Sequence, residues 1–266
     1  MESLLPVSPI VIVLVAGSAL SLAFWIALPR LLAWRGVSLY WRTKFGPALV
    51  FDSSDDDGTP VRLLNVRGTF QSIRYTDDEL ACELVCVYHR HFARIVSNMG
   101  LGAGARILVM GGGGFAFPAW AVTHVPGAQV VVAEIDPAII RIAREHFGLD
   151  GLETQAAGRL DIRCADAWEV LCSDSEGFDV IVNDAFGGRS PLEPTSTPEG
   201  AATIHAHLRE GGCYLANIMS ALEGRRSGQL HHVRSVLEEE FAHVVLFAER
   251  PEEPEREAVN ALLARD

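Results

Sequence analysis

The sequence predicts an α/β chain. A mostly parallel sheet, its last strand antiparallel, follows a small antiparallel β module and an apolar N-terminal helix. Three observations carry this prediction. Beyond Gly100, aliphatic runs alternate with helical periodicity, as parallel strands and crossover helices do. Between residues 48 and 76, strand-like runs are separated by tight-turn residues. Ahead of both, Val7 to Leu28 is 22 residues without a charge.

At about 1.5 Å per residue that stretch would reach roughly 33 Å as a helix, the thickness of a bilayer core. Arg30, Arg35, Arg42 and Lys44 follow it, and positive charge stays on the cytoplasmic side. The expectation is therefore a single-pass cell-membrane protein. Residues 1–30 form its transmembrane anchor, residues 31–47 a juxtamembrane linker, and the rest lies in the cytoplasm.

Residues 48–76 read as a β-hairpin module. "ALVFDS" and "VRLLNV" flank the turn cluster "SDDDGTP", and "TFQSIRY" follows Arg67-Gly68. Residues 77–266 then form one domain. It opens on "TDDELACELVCVYHRHFARIVSNM", an amphipathic helix capped by Thr76 or Asp77, with Leu80, Leu84, Val87 and Phe92 near one side. The strands are "RILVMG", "QVVVAEI", "DIRCAD", "FDVIVND", "GCYLANIM" and "HVVLFAE", with "AVNALLARD" returning antiparallel.

Composition narrows the function. A net charge of -12 argues against a nucleic-acid partner. Five scattered cysteines with no C-x-x-C pair read as reduced thiols, and no metal site is expected. His205, His207, His231 and His232 read as surface residues of helical segments.

The chemistry lies at the ends of the strands. In "ILVMGGGGFAFPAW", Gly111, Gly113 and Ala116 satisfy G-x-G-x-x-A between a strand and a helix. Bare backbone there lets a ligand lie against amides at a helix N-terminus. About twenty residues on, "VVVAEID" ends its strand at Glu134, placed to accept both hydroxyls of a ribose. Asp136-Pro137 reads as a helix cap. Asp166 in "IRCADAWEVL" ends the third strand and makes a capping box with Glu169, and it is also placed to accept an adenine amino group. Asp184 in "FDVIVNDAFGG" stands at the carboxyl end of the fourth strand, the edge where open parallel sheets bind ligands.

Together with the preceding hairpin module, this set resembles the spermidine synthase family of polyamine aminopropyltransferases, in its branch with hydrophobic N-terminal segments. The likeness runs from about residue 48 to 264. It includes "LLNVRGTFQSIRYTDDE", with Gln71 and the pair Asp78-Glu79, and the proline/threonine stretch "RSPLEPTSTPE". The resemblance implies a Rossmann-like fold of the S-adenosylmethionine type. It implies a site for S-adenosylmethionine or its decarboxylated form as co-substrate. Gly111, Gly112, Gly113 and Gly114 would approach that ligand. Glu134 would hold its ribose, Asp166 and Ala167 its adenine, and Gln71 would close over it. Asp184 would be catalytic, orienting an amine and helping to remove its proton. The partners expected are a small-molecule amine acceptor, the membrane, and a second copy of the chain in a homodimer.

The chain departs from the family at the groups that recognise amine nitrogens. The family's glycine-loop aspartate is replaced by Gly114 or Phe115, and its Tyr-His-Glu by Ala81, Cys82 and Glu83. Tyr88 and His89 lie two turns later on the expected helix and do not substitute by position. The family's second aspartate after the catalytic one is missing from Ala185, Phe186 and Gly187. Three functions follow: aminopropyl transfer to an amine, methyl transfer from intact S-adenosylmethionine, or nucleoside binding by a non-catalytic membrane-tethered protein.

Overall fold

The computed structural model describes residues 24–187 and 190–266. Residues 24–34 form helix α1, which ends at Gly36 with φ +75°. Among the described residues no helix is long and apolar enough to cross a membrane. This corrects the expected transmembrane helix, and with it the membrane partner and the single-pass placement with a cytoplasmic remainder. The described part of α1 would span about 16 Å, half a bilayer core. It carries Arg30 and rests Trp25 on Trp41, ring centroids 4.1 Å apart. Residues 7–23 of the expected span lie outside the described residues.

Four antiparallel strands follow in the order of the chain: β1 (Ser38–Tyr40), β2 (Ala48–Ser54), β3 (Pro60–Val66) and β4 (Thr69–Tyr75). β1 arises in the segment expected as a linker. Turn chemistry sets the register. Arg67 and Gly68 both take positive φ, and Gly68 N donates to Asn65 Oδ1 at 2.9 Å. Asp55 Oδ1 accepts from the amides of Asp57 and Thr59 at the other turn.

The large sheet contains β5 (Arg106–Met110), β6 (Gln129–Ala133), β7 (Leu160–Arg163), β8 (Phe178–Asn183), β11 (Leu208–Ser220), β12 (His243–Phe247) and β13 (Ala258–Arg265). Short β9 (Phe186–Gly187) and β10 (Ser190–Pro191) pair apart from it. Its order is β12-β13-β11-β8-β5-β6-β7, and every pairing is parallel except those of β13. The antiparallel last strand follows from the turn-rich "ERPEEPERE" that reverses the chain before it.

Both faces of the central part of this sheet are covered, so β5, β6 and β8 are almost wholly apolar, while the edge strands β7 and β12 keep exposed polar residues. Ile107, Val109, Val130, Val132 and Val180 point to α2 (Val87–Asn98), α3 (Ala116–His124) and α5 (Leu149–Ala156). Leu108, Met110, Val131 and Ile181 point to α6 (Ala167–Ser173), α7 (Pro198–Ala206) and α8 (Gly228–Glu240). A third cluster seats the small sheet on α4 (Pro137–His146): Ala48, Val50, Leu64 and Val66 pack with Ile139, Ile142 and Phe147. That contact places the small sheet over the carboxyl edge of the large one.

The helix expected from Asp77 starts ten residues later. Asp77 caps a single 3-10 turn, Asp78–Leu80, and the helix begins at Val87 behind an extended Cys86. Two of the intervening carbonyls are taken by side chains instead of a helical ladder. Arg74 Nε donates to Ala81 O at 2.9 Å, and Arg90 Nε donates to Leu84 O at 2.7 Å. The inward face therefore consists of His89, Phe92, Ala93 and Val96, while Val87 is exposed. Phe92→Ala is expected to lower unfolding free energy by about 3–5 kcal/mol in urea titrations. Val87→Ala on the same helix is expected to stay within about 0.5 kcal/mol.

Candidate active site

The glycine run joins β5 to α3, and much of what comes close to it is the protein's own backbone. A Cβ on Gly111 (φ +96°) would stand 2.8 Å from the carbonyl oxygen of Asp184. One on Gly113 (φ +49°) would stand 3.0 Å from the carbonyl of Gln71, and one on Gly114 would stand 2.5 Å from Ser72 Oγ. β4 thus docks directly on the loop, and the end of β8 touches its base. Phe115 follows at φ +59°, a left-handed conformation that costs a non-glycine residue about 1–3 kcal/mol. Its buried ring packs where a side chain on Gly112 would go.

Glu134 holds the loop from below. Its Oε2 accepts from the amides of Gly112 (3.0 Å) and Gly113 (3.2 Å), and its Oε1 accepts from Asp136 N (2.9 Å). The side chain therefore has a structural task that its position in the sequence did not disclose. A carboxylate has about four lone-pair sites, so acceptor capacity remains for a ligand. Burial to 7% exposure raises its pKa, and the three backbone donors oppose that shift.

Asp136 caps α4 through Ala138 N, as expected, and also accepts from Lys44 N at 2.5 Å. That bond draws residues 44–47 over the site. Asp166 caps α6, with Oδ1 accepting from Trp168 N (2.8 Å) and Glu169 N (3.4 Å).

Asp184, just past β8, is gripped on three sides. Tyr88 donates its hydroxyl to Oδ1 at 3.0 Å, and Asn217 donates Nδ2 to the same oxygen at 2.9 Å. His89 Nε2 lies 2.8 Å from Oδ2 and, facing a carboxylate, carries the hydrogen. Burial raises the Tyr88 pKa well above its usual value, and the neighbouring Asp184 charge adds to this, so the hydroxyl stays a donor. Tyr88 and His89 were set aside by position in the sequence. The non-helical stretch 81–86 is what delivers them, and the Tyr-His dipeptide was the available signal. Asn217, a polar residue in the apolar run "GCYLANIM", was a second signal.

Two cavities meet at Asp184. The first, about 790 Å³, is bounded by Gly111, Gly113, Glu134, Asp166, Ala167 and Asp184, with Lys44 and Arg67 also on its wall. The second, about 470 Å³, runs between β4, the start of α2 and the ends of β11 and β13. Thr69, Gln71 and Asp184 line both. Gly112 and Gly114 are not on either wall: Gly112 faces Phe115 and Gly114 faces Ser72. The proline/threonine stretch is anchored behind the site, where Asn183 Nδ2 donates to Thr195 Oγ1 (3.1 Å) and to the Tyr214 hydroxyl (2.8 Å).

No family model matches the chain. It is 25% identical over 126 residues to the polyamine aminopropyltransferase of Pseudomonas syringae pv. tomato, 47% of this chain and 44% of that one. It is 25% identical over 169 residues to the eEF1A lysine and N-terminal methyltransferase of Danio rerio, 58% of this chain and 24% of that one. The chain therefore spans less than half the length of these curated relatives. A solved structure, a probable spermidine synthase from Corynebacterium glutamicum, superposes with a TM-score of 0.69 at 24% identity, over 86% of this chain and 80% of that one.

The close approach of Ser72 to Gly114 is directly testable. Gly114→Asp is expected to cost about 1–3 kcal/mol of stability. In a double-mutant cycle with Ser72→Gly, measured by urea unfolding, about 1 kcal/mol of that loss is expected to be relieved.

Proposed function

Taking as premise a chain that is spermidine synthase-like in sequence and fold, we propose that it is a transferase acting on an adenosyl sulfonium co-substrate. The group moved is an aminopropyl group, and the acceptor is an amine. The observation that carries this reading is the Asp184 carboxylate on the wall common to two cavities, braced by Tyr88, His89 and Asn217.

The first cavity suits the nucleoside. Glu134 keeps about one acceptor site for a ribose hydroxyl, Asp166 has an oxygen left for an adenine amino group, and Ile135 and Ile139 offer apolar contact. Gln71 lies over the junction. The sulfonium supplies a carbon whose bond to sulfur breaks as the amine nitrogen bonds to it, the electron pair leaving on sulfur. An ammonium has no lone pair for that attack. Asp184 accepts a hydrogen bond from the incoming amine, orients it and takes its proton. The three donors on Asp184 fix the carboxylate so that little reorganisation is needed at that moment.

Methyl transfer from intact S-adenosylmethionine is the second reading, favoured by two observations. Ser72 closes the space where a loop carboxylate at Gly114 would meet the aminopropyl nitrogen, and Lys44 and Arg67 offer cations for a donor that bears a carboxylate.

Incubation with each co-substrate and an amine panel separates the readings. Methylthioadenosine as product supports aminopropyl transfer, adenosylhomocysteine supports methyl transfer, and binding without either product supports a non-catalytic role. Asp184→Asn is expected to lower kcat by about 10²–10⁴-fold. Its dissociation constant for the adenosyl ligand, read by calorimetry, should change less than about threefold, because the first cavity keeps Glu134 and Asp166.

A further inference from the structure

Resting on that transferase reading, we infer that the acceptor is a primary monoamine with an apolar body, rather than a diamine or longer polyamine. The second cavity is where it lies. Leu63, Phe70, Ile73, Met219 and Val259 give it an apolar side, and Asp184 stands at the end that joins the first cavity. Among the described residues Asp184 is the one carboxylate on that wall.

The other ionisable groups there add no negative charge. Burial pushes the Cys86 thiol up to about 12, and the Tyr88 hydroxyl is raised as well, so both are neutral at physiological pH. His89 brings none. Glu249, whose charge reaches Cys86, accepts from the Val259 amide at 2.7 Å and is not part of the wall.

A diamine carries two ammonium groups at neutral pH. One pairs with Asp184. The other would lie along the aliphatic part of the wall with no second carboxylate to pair with, and an ammonium that gives up water there without a counter-charge is disfavoured. An alkyl or aryl tail gains by leaving water in the same place. The head-group end holds a further acceptor. Asn217 Oδ1 is buried without a hydrogen-bond partner while its Nδ2 serves Asp184, which favours a head carrying more than one N–H.

The test is calorimetry on the full chain in the presence of methylthioadenosine or adenosylhomocysteine, whichever it binds, with hexylamine, 1,6-diaminohexane and 1,4-diaminobutane as probes. Hexylamine is expected to bind at least tenfold more tightly than either diamine. Met219→Glu supplies a counter-charge on the wall and should shift that ratio at least tenfold toward 1,6-diaminohexane. Phe70→Glu, at a side chain 63% exposed and therefore tolerant of substitution, should shift it the same way. Equal or tighter binding of a diamine to the unsubstituted chain overturns the inference and leaves the transferase reading standing. So does adenosyl binding with no amine binding at all. A chain that binds neither adenosyl compound fails at the transferase reading, and the inference falls with it.

Discussion

Main chain meets main chain at the glycine loop, and the rest of the site depends on that contact. Gly111 lets the backbone at Asp184 come within reach of β5, while Gly113 and Gly114 let β4 lie on the loop. Side chains at these positions would hold the small sheet away from the large one and open the seam between them. Both cavities lie along that seam, and Gln71, Thr69 and Asp184 belong to both because the seam is narrow. Glu134 locks the arrangement from the far side by accepting two amides of the loop. Phe115 shows how strongly the geometry is imposed, since a buried aromatic residue is held at positive φ to complete it.

This contact explains both what was legible in the sequence and what was not. The central strands of the large sheet could be read because β5, β6 and β8 are apolar on both faces and bounded by turn residues, and burial on both faces dictates that pattern. Glycines at 111 to 114 could be recognised as a close-approach site. The identity of what approaches Gly113 and Gly114 could not, because Ser72 is forty-odd residues away in the chain and packs there only once the sheets have met. Glu134 was readable as a carboxylate at a strand tip. Its grip on the loop amides was not, since backbone donors leave no mark in a sequence. Asp166 was readable in its capping role, which its spacing to the amides of Trp168 and Glu169 dictates.

Helical periodicity misled in one instructive place. Residues 77 to 86 have the spacing of an amphipathic helix, but Arg74 and Arg90 take two of the carbonyls such a helix would need. The stretch is held open instead, and Cys86 enters α2 in an extended conformation. Were it helical, Tyr88 and His89 would sit two turns further from the family's Tyr-His position, as their spacing suggested. With the chain extended they arrive at Asp184. Tertiary hydrogen bonds from arginine, which local periodicity cannot register, thus decide whether the carboxylate is braced.

The distribution of charge around Asp184 then separates the two halves of the site. On one side lie Glu134, Asp166, Lys44 and Arg67, two carboxylates beside two cationic side chains. On the other side part of the wall turns aliphatic, and burial holds the Cys86 thiol and the Tyr88 hydroxyl neutral. A carboxylate at the boundary of such unequal halves has a definite electrostatic task. Among the described residues it is the one carboxylate on the wall of the apolar side, so a cation entering there is drawn to the point where the two cavities join. Position and attraction coincide there because the three hydrogen bonds from Tyr88, His89 and Asn217 leave the carboxylate one orientation.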